Sequence, residues 1–320
     1  MVSFSVLIIT HGREELLTKC LESLRPAAPF ELVLFANGLP LSDNLKTFLS
    51  TYPGTVKLAG SDTQLTPGAA RNRAAELTTG DWDHLIDDDS YWHKGYWEIA
   101  KNLLHDQNIE VLGGPDGSAR PVSYFQESVS IALSSPLCTG TTFARHQGLG
   151  KSMVPATEEK LTSCNLWVRR ELLQKYPFPE DFRRAEETVF LLSLQKDHHR
   201  MFYHPLIKVG HYRRKNLLGL LRPTLGAGYW RSRLLRTAGG TTMFWLPSVF
   251  VLLHFLAFIN FPLFLELAKV YMVMVMTVSM GLSSRRNRLS HFPLVAILHY
   301  VIVFLYGAGF LLERVRYKWK

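Results

Sequence analysis

Four apolar runs of strand length, separated by segments of helical spacing, occupy residues 4–86, and the fourth ends in three consecutive carboxylates, Asp87-Asp88-Asp89. Phe4 to Thr10 is apolar and β-rich. Leu17, Cys20, Leu21 and Leu24 then recur at helical spacing, and Pro26 closes that helix. Glu31 to Ala36 reads as a second strand turned by Asn37-Gly38, with a short helix around Leu45 to Leu49. Thr55 to Ala59 is a third, weaker strand. Pro67-Gly68 opens a helix of small residues carrying Arg71, and Asp83 to Ile86 is the fourth strand. This alternation predicts an α/β fold with a mainly parallel sheet covered on both faces. Ligands of such sheets collect at the carboxyl ends of the strands, where Asn37, Asp62 and Asp87 to Asp89 all fall.

Three adjacent acids repel one another and form strands poorly, so their place at a strand end predicts that positive charge gathers there. Hard oxygen ligands suit Mg²⁺ or Mn²⁺, ions that take one or two carboxylates and leave other positions to water and substrate phosphate. A divalent ion carrying a nucleotide diphosphate fits that description. A solvated acidic turn, or the cap of a helix beginning at Tyr91, is the plainer alternative.

The 320 residues are too many for one small domain, and their 47% hydrophobic content is concentrated in the last quarter, which predicts two regions. Three segments there, about 244–260, 261–282 and 292–312, each approach the roughly 20 residues that span hydrocarbon as a helix. Hydropathy predicts that all three cross. The Arg-rich ends at 314–320 favour a surface-lying last segment instead. Glu266 and Lys269 are three apart on one helix and are expected to pair. The net charge of +9 sits in stretches 213–236, 285–288 and 314–320, beside the apolar segments, which points to anionic lipid headgroups and not to nucleic acid. Cys20, Cys138 and Cys164 are widely spaced and odd in number, as expected of reduced, buried thiols in a cytoplasmic domain. The first residues run directly into a strand, and no signal peptide is expected there.

In their order and spacing, several runs resemble the family 2 glycosyltransferases with the GT-A fold. They are Ser5 to Thr10 with Arg13 to Leu17 and Cys20 to Leu24, the Gly68 to Ala75 run with Ala70-Arg71-Asn72, and the Asp87 to Asp89 triplet. Ser163 to Leu173, Tyr176 to Phe182 and Ala185 to Leu194 are similar to the acceptor-side half of that family, so the resemblance covers about residues 3–235. Within it, Ser134-Ser135-Pro136-Leu137, Gly140 and the apolar C-terminal region are most similar to membrane-bound exopolysaccharide glucosyltransferases of the succinoglycan type.

The resemblance implies a GT-A catalytic domain over 1–212, with a donor half of about 1–90 and an acceptor half of about 91–212. A basic interfacial helix region over 213–242 and a transmembrane region over 243–320 follow. It implies a donor site drawn from Thr10, Arg13, Asn37, Asp62, Arg71, Asp87 and Asp88, with Asp89, Asp87 and His211 as metal ligands for Mg²⁺ or Mn²⁺. Arg71 is expected on the diphosphate, since a planar guanidinium fork matches phosphate oxygens. The general base would be Glu187, standing where the family has Asp, or its neighbour Glu186; both also suit the first turn of a helix. Asn37 replaces the usual acid that reads the donor base, and Asp62 is a second candidate for that contact. Trp230 and Arg231 are placed on the acceptor side as a degraded form of the Gln-x-x-Arg-Trp segment of processive synthases, or are an interfacial anchor.

The expected function is inverting transfer of a hexose from a nucleotide sugar, UDP-linked, to a lipid-linked glycan at the cytoplasmic membrane. The catalytic domain would face the cytoplasm, with other polysaccharide-assembly proteins as partners. A membrane scaffold that binds nucleotide sugar without turnover competes with this reading, motivated by Ala36 and by Glu187 in place of Asp. A nucleotidyltransferase on a similar sheet is a third reading.

Overall fold

The computed structural model describes residues 2–28, 30–120, 122–148, 150–240 and 242–318. In chain order it runs β1 (Phe4–Thr10), α1 (Glu14–Leu24), β2 (Glu31–Asn37), α2 (Asp43–Ser50), β3 (Val56–Ser61), α3 (Pro67–Ala75), β4 (Trp82–Ile86), β5 (Ser90–Trp92), α4 (Tyr96–Leu104), β6 (Val111–Gly113) and β7 (Asp116–Ser118). It continues through α5 (Tyr124–Leu133), α6 (Pro136–Thr139), β8 (Val154–Pro155), β9 (Asn165–Arg169), α7 (Arg170–Lys175), α8 (Glu186–Lys196), β10 (Met201–Tyr203) and β11 (Val209–His211). Five helices follow: α9 (Leu217–Thr237), α10 (Leu246–Leu253), α11 (Leu256–Ile259), α12 (Phe261–Arg285) and α13 (Phe292–Lys318). These form two units, Met1–Arg120 with Gln147–Tyr212 and Pro121–His146 with Arg213–Lys320. The continuous 1–212 domain expected from sequence differs from this in its excursion 121–146, which belongs to the second unit.

The first unit is built on an eight-stranded mixed sheet of order β3-β2-β1-β4-β9-β6-β10-β8. β3, β2, β1 and β4 run parallel, as the βα alternation predicts, while β9 is antiparallel to both its neighbours. Alternating strand residues supply two cores. Val6, Ile8, Leu32 and Leu34 meet Leu17, Leu21 and Leu24 of α1 on one face. Leu7, Val33, Phe35 and Leu85 meet Ala70 and Ala74 of α3 and Phe190 and Leu191 of α8 on the other. A helix can approach a strand this closely only with small residues, which is why α3 is Ala-rich. Its start is fixed by Thr66, whose hydroxyl accepts from the Ala69 amide at 3.3 Å, and by Pro67 at the first turn. Gly68 then lets α3 meet the 178–179 loop, because a Cβ there would lie 2.4 Å from the Pro179 carbonyl oxygen.

A second, three-stranded sheet of order β5-β11-β7 forms where sequence suggested otherwise. Ser90 to Trp92 is a strand and the next helix begins at Tyr96, so the acidic triplet does not cap a helix at Tyr91. The central strand of this sheet, Val209–His211, pairs with β5 and β7 on its two sides and so takes His211 into the ladder.

In the second unit, α13 packs against α5, α9, α10 and α12. The approach of α9 depends on Gly228 and Gly309: a Cβ at Gly228 would meet the Tyr306 carbonyl oxygen at 1.8 Å, and one at Gly309 the Leu225 carbonyl oxygen at 2.0 Å. The segment expected to cross over 244–260 is a 3-10 turn followed by two short helices, α10 of 8 residues and α11 of 4. Taken together, the apolar helical stretch Met243–Ile259 covers about 26 Å at 1.5 Å per residue, somewhat under the roughly 30 Å of hydrocarbon. Two helices among the described residues, α12 and the 289–316 span around α13, are long and apolar enough to cross a membrane.

Candidate active site

The three acids after β4 have three different surroundings. Asp88 is fully buried, accepts from the Thr10 hydroxyl at 2.7 Å and pairs with Arg13. Burial, opposed by the Arg13 charge, pushes its carboxyl up to about 6. Asp89, also buried, pairs with Arg13 through one oxygen and lies 3.2 Å from His211 Nε2 through the other. Asp87 keeps 29% of its side chain exposed and lies 3.1 Å from Arg71 Nη2. Arg13 thus holds Asp88 and Asp89 together, which offsets the repulsion that makes such a triplet costly.

Arg71 is enclosed by carboxylates and does not stand open to a diphosphate. Its guanidinium donates to Asp87 at 3.1 Å and to Glu186 at 2.5 Å, and only 7% of its side chain is exposed. Helix α8 brings both acids of its first turn to this place, Glu186 buried and Glu187 half-buried. Burial, reinforced by the Glu187 charge and opposed by Arg71, raises the Glu186 carboxyl above the usual range. Ala185 enters the helix with φ 64°, the left-handed region that costs an L-residue roughly 1–2 kcal/mol.

His211 is delivered by strand register, opposite Ser90 of β5 and so beside Asp89. Its Nδ1 lies 3.0 Å from an Asp116 oxygen, and its Nε2 faces Asp89. Cys164 Sγ lies 3.7 Å from Nδ1 and 2.9 Å from the Ser90 hydroxyl. Burial pushes this thiol up, with the His211 charge acting against it. Asp116 carried no signal in the sequence, and Cys164, expected there only as a buried thiol, is one. The run Gly113-Gly114-Pro115-Asp116 looks like a turn, and the contact is made across 95 residues by the β7–β11 pairing.

Two expected donor residues sit differently. Asn37 is buried, its amide donating to the Leu65 carbonyl at 3.2 Å and accepting from the Leu65 amide at 2.8 Å. Both ends of the side chain that was to read a base are spent on pinning the 62–66 loop. Asp62 on that loop is exposed. Trp230 and Arg231 lie in the second unit on α9, where Arg233 stacks on Trp230 at 5.1 Å and Arg231 on Phe244 at 4.2 Å. Both are packed within their own unit as an interfacial anchor would be.

The residues fit a divalent ion. Asp89 Oδ1 and His211 Nε2 are 3.2 Å apart, close to the roughly 3 Å between neighbouring ligands of an octahedral ion with 2.0–2.1 Å bonds. The carboxylate oxygen suits Mg²⁺ or Mn²⁺, whereas an imidazole donor is commoner on softer ions such as Zn²⁺ or Fe²⁺.

A strand-end acid cluster on this mixed sheet, with an acid-led helix facing it, is the arrangement of GT-A nucleotide-diphospho-sugar transferases. Solved structures agree at the level of the fold. A mannosyltransferase from Pyrobaculum calidifontis in complex with GDP-Man and Mn²⁺ superposes with a TM-score of 0.58 at 14% identity over 96% of this chain and 86% of that one. S. aureus TarS 1-349 in complex with UDP-GlcNAc superposes at 0.51 and 17% identity over 98% and 92%. The profile of glycosyl transferase family 2 matches residues 5–176, more than half the chain, and the chain belongs to that family. Its relatives include the amylovoran biosynthesis glycosyltransferase AmsB of Erwinia amylovora, 30% identical over 133 residues, and a poly(ribitol-phosphate) beta-glucosyltransferase of Bacillus spizizenii, 24% identical over 205. The matches cover 40% and 60% of this chain, but only 42% and 29% of those proteins.

Proposed function

We propose that the chain is a metal-dependent, inverting glycosyltransferase that moves a hexose from a UDP-linked donor onto a lipid-linked glycan, in the synthesis of an exopolysaccharide or cell-surface polysaccharide. The observation that carries this reading is Arg71. Its bonds to Asp87 and Glu186 bring the acids after β4 and the acids opening α8 to one place, so the leaving-group side and the base side of a transfer site meet. Asp89 and His211 would hold Mg²⁺ or Mn²⁺, which when bound stabilises charge on the departing diphosphate. Glu186 is committed to Arg71. Glu187, half-buried one residue on, is the carboxylate we assign to take the acceptor hydroxyl proton. Similarity to an amylovoran biosynthesis enzyme supports polysaccharide synthesis as the setting.

The exposed apolar sides of α10, α11 and α12, among them Leu252, Phe258, Ile259, Val270 and Met272, support attachment to the membrane where a lipid-linked acceptor resides. Cytosolic nucleotide sugars then require the catalytic unit on the cytoplasmic face. Purified protein should hydrolyse UDP-hexose slowly in the presence of Mn²⁺ or Mg²⁺. Asp89→Ala should abolish metal-dependent UDP binding, while Glu187→Gln should keep it and lose transfer by about 10²–10⁴. Normal turnover by Glu187→Gln together with a dead Glu186→Gln assigns the base to the other carboxylate. Absence of any metal-dependent hydrolysis supports the scaffold reading.

A further inference from the structure

We propose that Asp116 is a positioning residue that holds His211 with Nε2 turned toward Asp89. The proposal rests on the metal reading above and extends it to a carboxylate outside the motifs of the sequence. An imidazole has two nitrogens, and the one that carries the hydrogen is set by what the other ring edge meets. Beside Nδ1 stands an Asp116 oxygen at 3.0 Å, and a carboxylate can only accept, so Nδ1 carries the hydrogen. Nε2, 3.2 Å from Asp89 Oδ1, is then the ring nitrogen whose lone pair an ion shared with Asp89 would take. Asp116 is only 3% exposed. Burying a carboxylate is costly unless hydrogen bonds compensate, so its place against His211 calls for a reason. Hydrogen bonding from a ligating imidazole to a carboxylate fixes the ring's rotation and raises its basicity as a ligand.

The ligand-type atoms of Asp116, Cys164 and His211 all lie within 4.8 Å of one another, so the trio could also be taken for a metal site of its own. Two features argue for a cradle instead. Cys164 is fully enclosed and its sulfur lies 2.9 Å from the Ser90 hydroxyl, so it is already engaged on the side away from the ring. Its sulfur and the Asp116 oxygen converge on the same ring nitrogen, leaving Nε2 as the edge that faces the acid triplet.

The test compares Mn²⁺ binding by the detergent-purified full chain loaded with UDP, using electron paramagnetic resonance to read both affinity and the modulation from a coordinated imidazole nitrogen. Asp116→Asn should weaken Mn²⁺ binding about 10- to 100-fold and reduce the nitrogen modulation, with UDP affinity in the absence of metal unchanged. In a His211→Ala background, the same substitution should change Mn²⁺ affinity no further, a result that general loosening of the fold would not give. Unaltered Mn²⁺ affinity in Asp116→Asn, or an equal loss in both backgrounds, overturns the proposal while the metal reading stands. Failure of the unsubstituted chain to bind Mn²⁺ with UDP overturns both. Stoichiometric zinc in the purified chain that is lost in Cys164→Ser overturns the positioning role by making the trio a metal site.

Discussion

Arg71 stands between Asp87 and Glu186 with almost none of its surface in water, and its neighbours define what its loss would do. Removing one partner of a buried ion pair costs roughly 3–5 kcal/mol, because the remaining charge is left in a poor solvent. Arg71→Met should therefore destabilise the chain by about 3 kcal/mol. Most of that comes from Glu186, which is more deeply buried than Asp87. Adding Glu186→Gln to Arg71→Met should recover more than half of the loss, as a double-mutant cycle in denaturant will show. If the double variant is the sum of the two singles, the coupling inferred from geometry is absent. A diphosphate-binding arginine would respond differently, with stability kept and donor affinity lost. Arg71 was marked by the resemblance of the Ala70-Arg71-Asn72 run, and the residue does lie among the acids it was expected beside. Its partner was out of reach of such reasoning, because Glu186 lies 115 positions away and only the packing of α3 against α8 joins them.

At the scale of elements, β4 carries a titration that the fold works against. Asp83 on this strand is fully buried, with the Thr78 hydroxyl donating to it at 3.1 Å. Burial pushes its carboxyl up from 3.8 to about 7, with Thr78 and the Arg170 charge opposing the shift. Between those two values the folded chain holds a proton that the unfolded chain has released. Stability is therefore full at low pH and falls as pH rises through that window, by an amount on the order of 4 kcal/mol at about 1.4 kcal/mol per unit. Asp83→Asn should remove the dependence, leaving the variant more stable than the parent near pH 8 and close to it only near pH 3. Unfolding followed by the fluorescence of Trp82 and Trp167 measures this, and an equal difference at both pH values would refute it. The parallel strands around β4 were legible because each is a short apolar run followed by its own helix. The β5-β11-β7 sheet was not. Its strands have three residues each and gain their pattern from partners more than ninety positions away, so local periodicity carries no sign of them. His211 was marked by resemblance, whereas Asp116, brought to it by the same ladder, had no local signal. Asn37 was correctly placed at a strand end, but its side chain was already engaged by the Leu65 backbone.

At the scale of the whole chain, the structure of the second unit bears on how the apolar region meets the membrane. Three crossings were expected from hydropathy, with Arg314 and Arg316 left outside against the positive-inside rule. The first of the three, Met243–Ile259, is interrupted between α10 and α11 and is shorter than the two helices that meet the length of a span. The last, α13, is not an isolated apolar rod. Helix α9 lies along it through the Gly228 and Gly309 contacts, and Arg236 of α9 pairs with Glu313 at 2.8 Å, Glu313 also accepting from the Ser232 hydroxyl at 3.0 Å. A crossing by α13 would therefore take α9 with it, and α9 also carries Arg222, Arg231 and Arg233. On insertion scales each arginine at the centre of a bilayer costs about 2.5–3.5 kcal/mol, against roughly 0.3–0.6 kcal/mol gained per large apolar residue. Once the two helices are treated as one packed element, the arginine cost cancels most of the hydropathy gain, and the positive-inside rule tips the balance. The second unit should then lie in the cytoplasmic interface, its exposed apolar side chains on α10 to α12 reaching into the lipid and its arginines at headgroup level. A cysteine appended after Lys320 and probed with a membrane-impermeant thiol reagent should stay unlabelled in intact cells and react once the membrane is opened. Labelling in intact cells would mean that α13 crosses, and that the arginines of α9 find partners inside the bilayer.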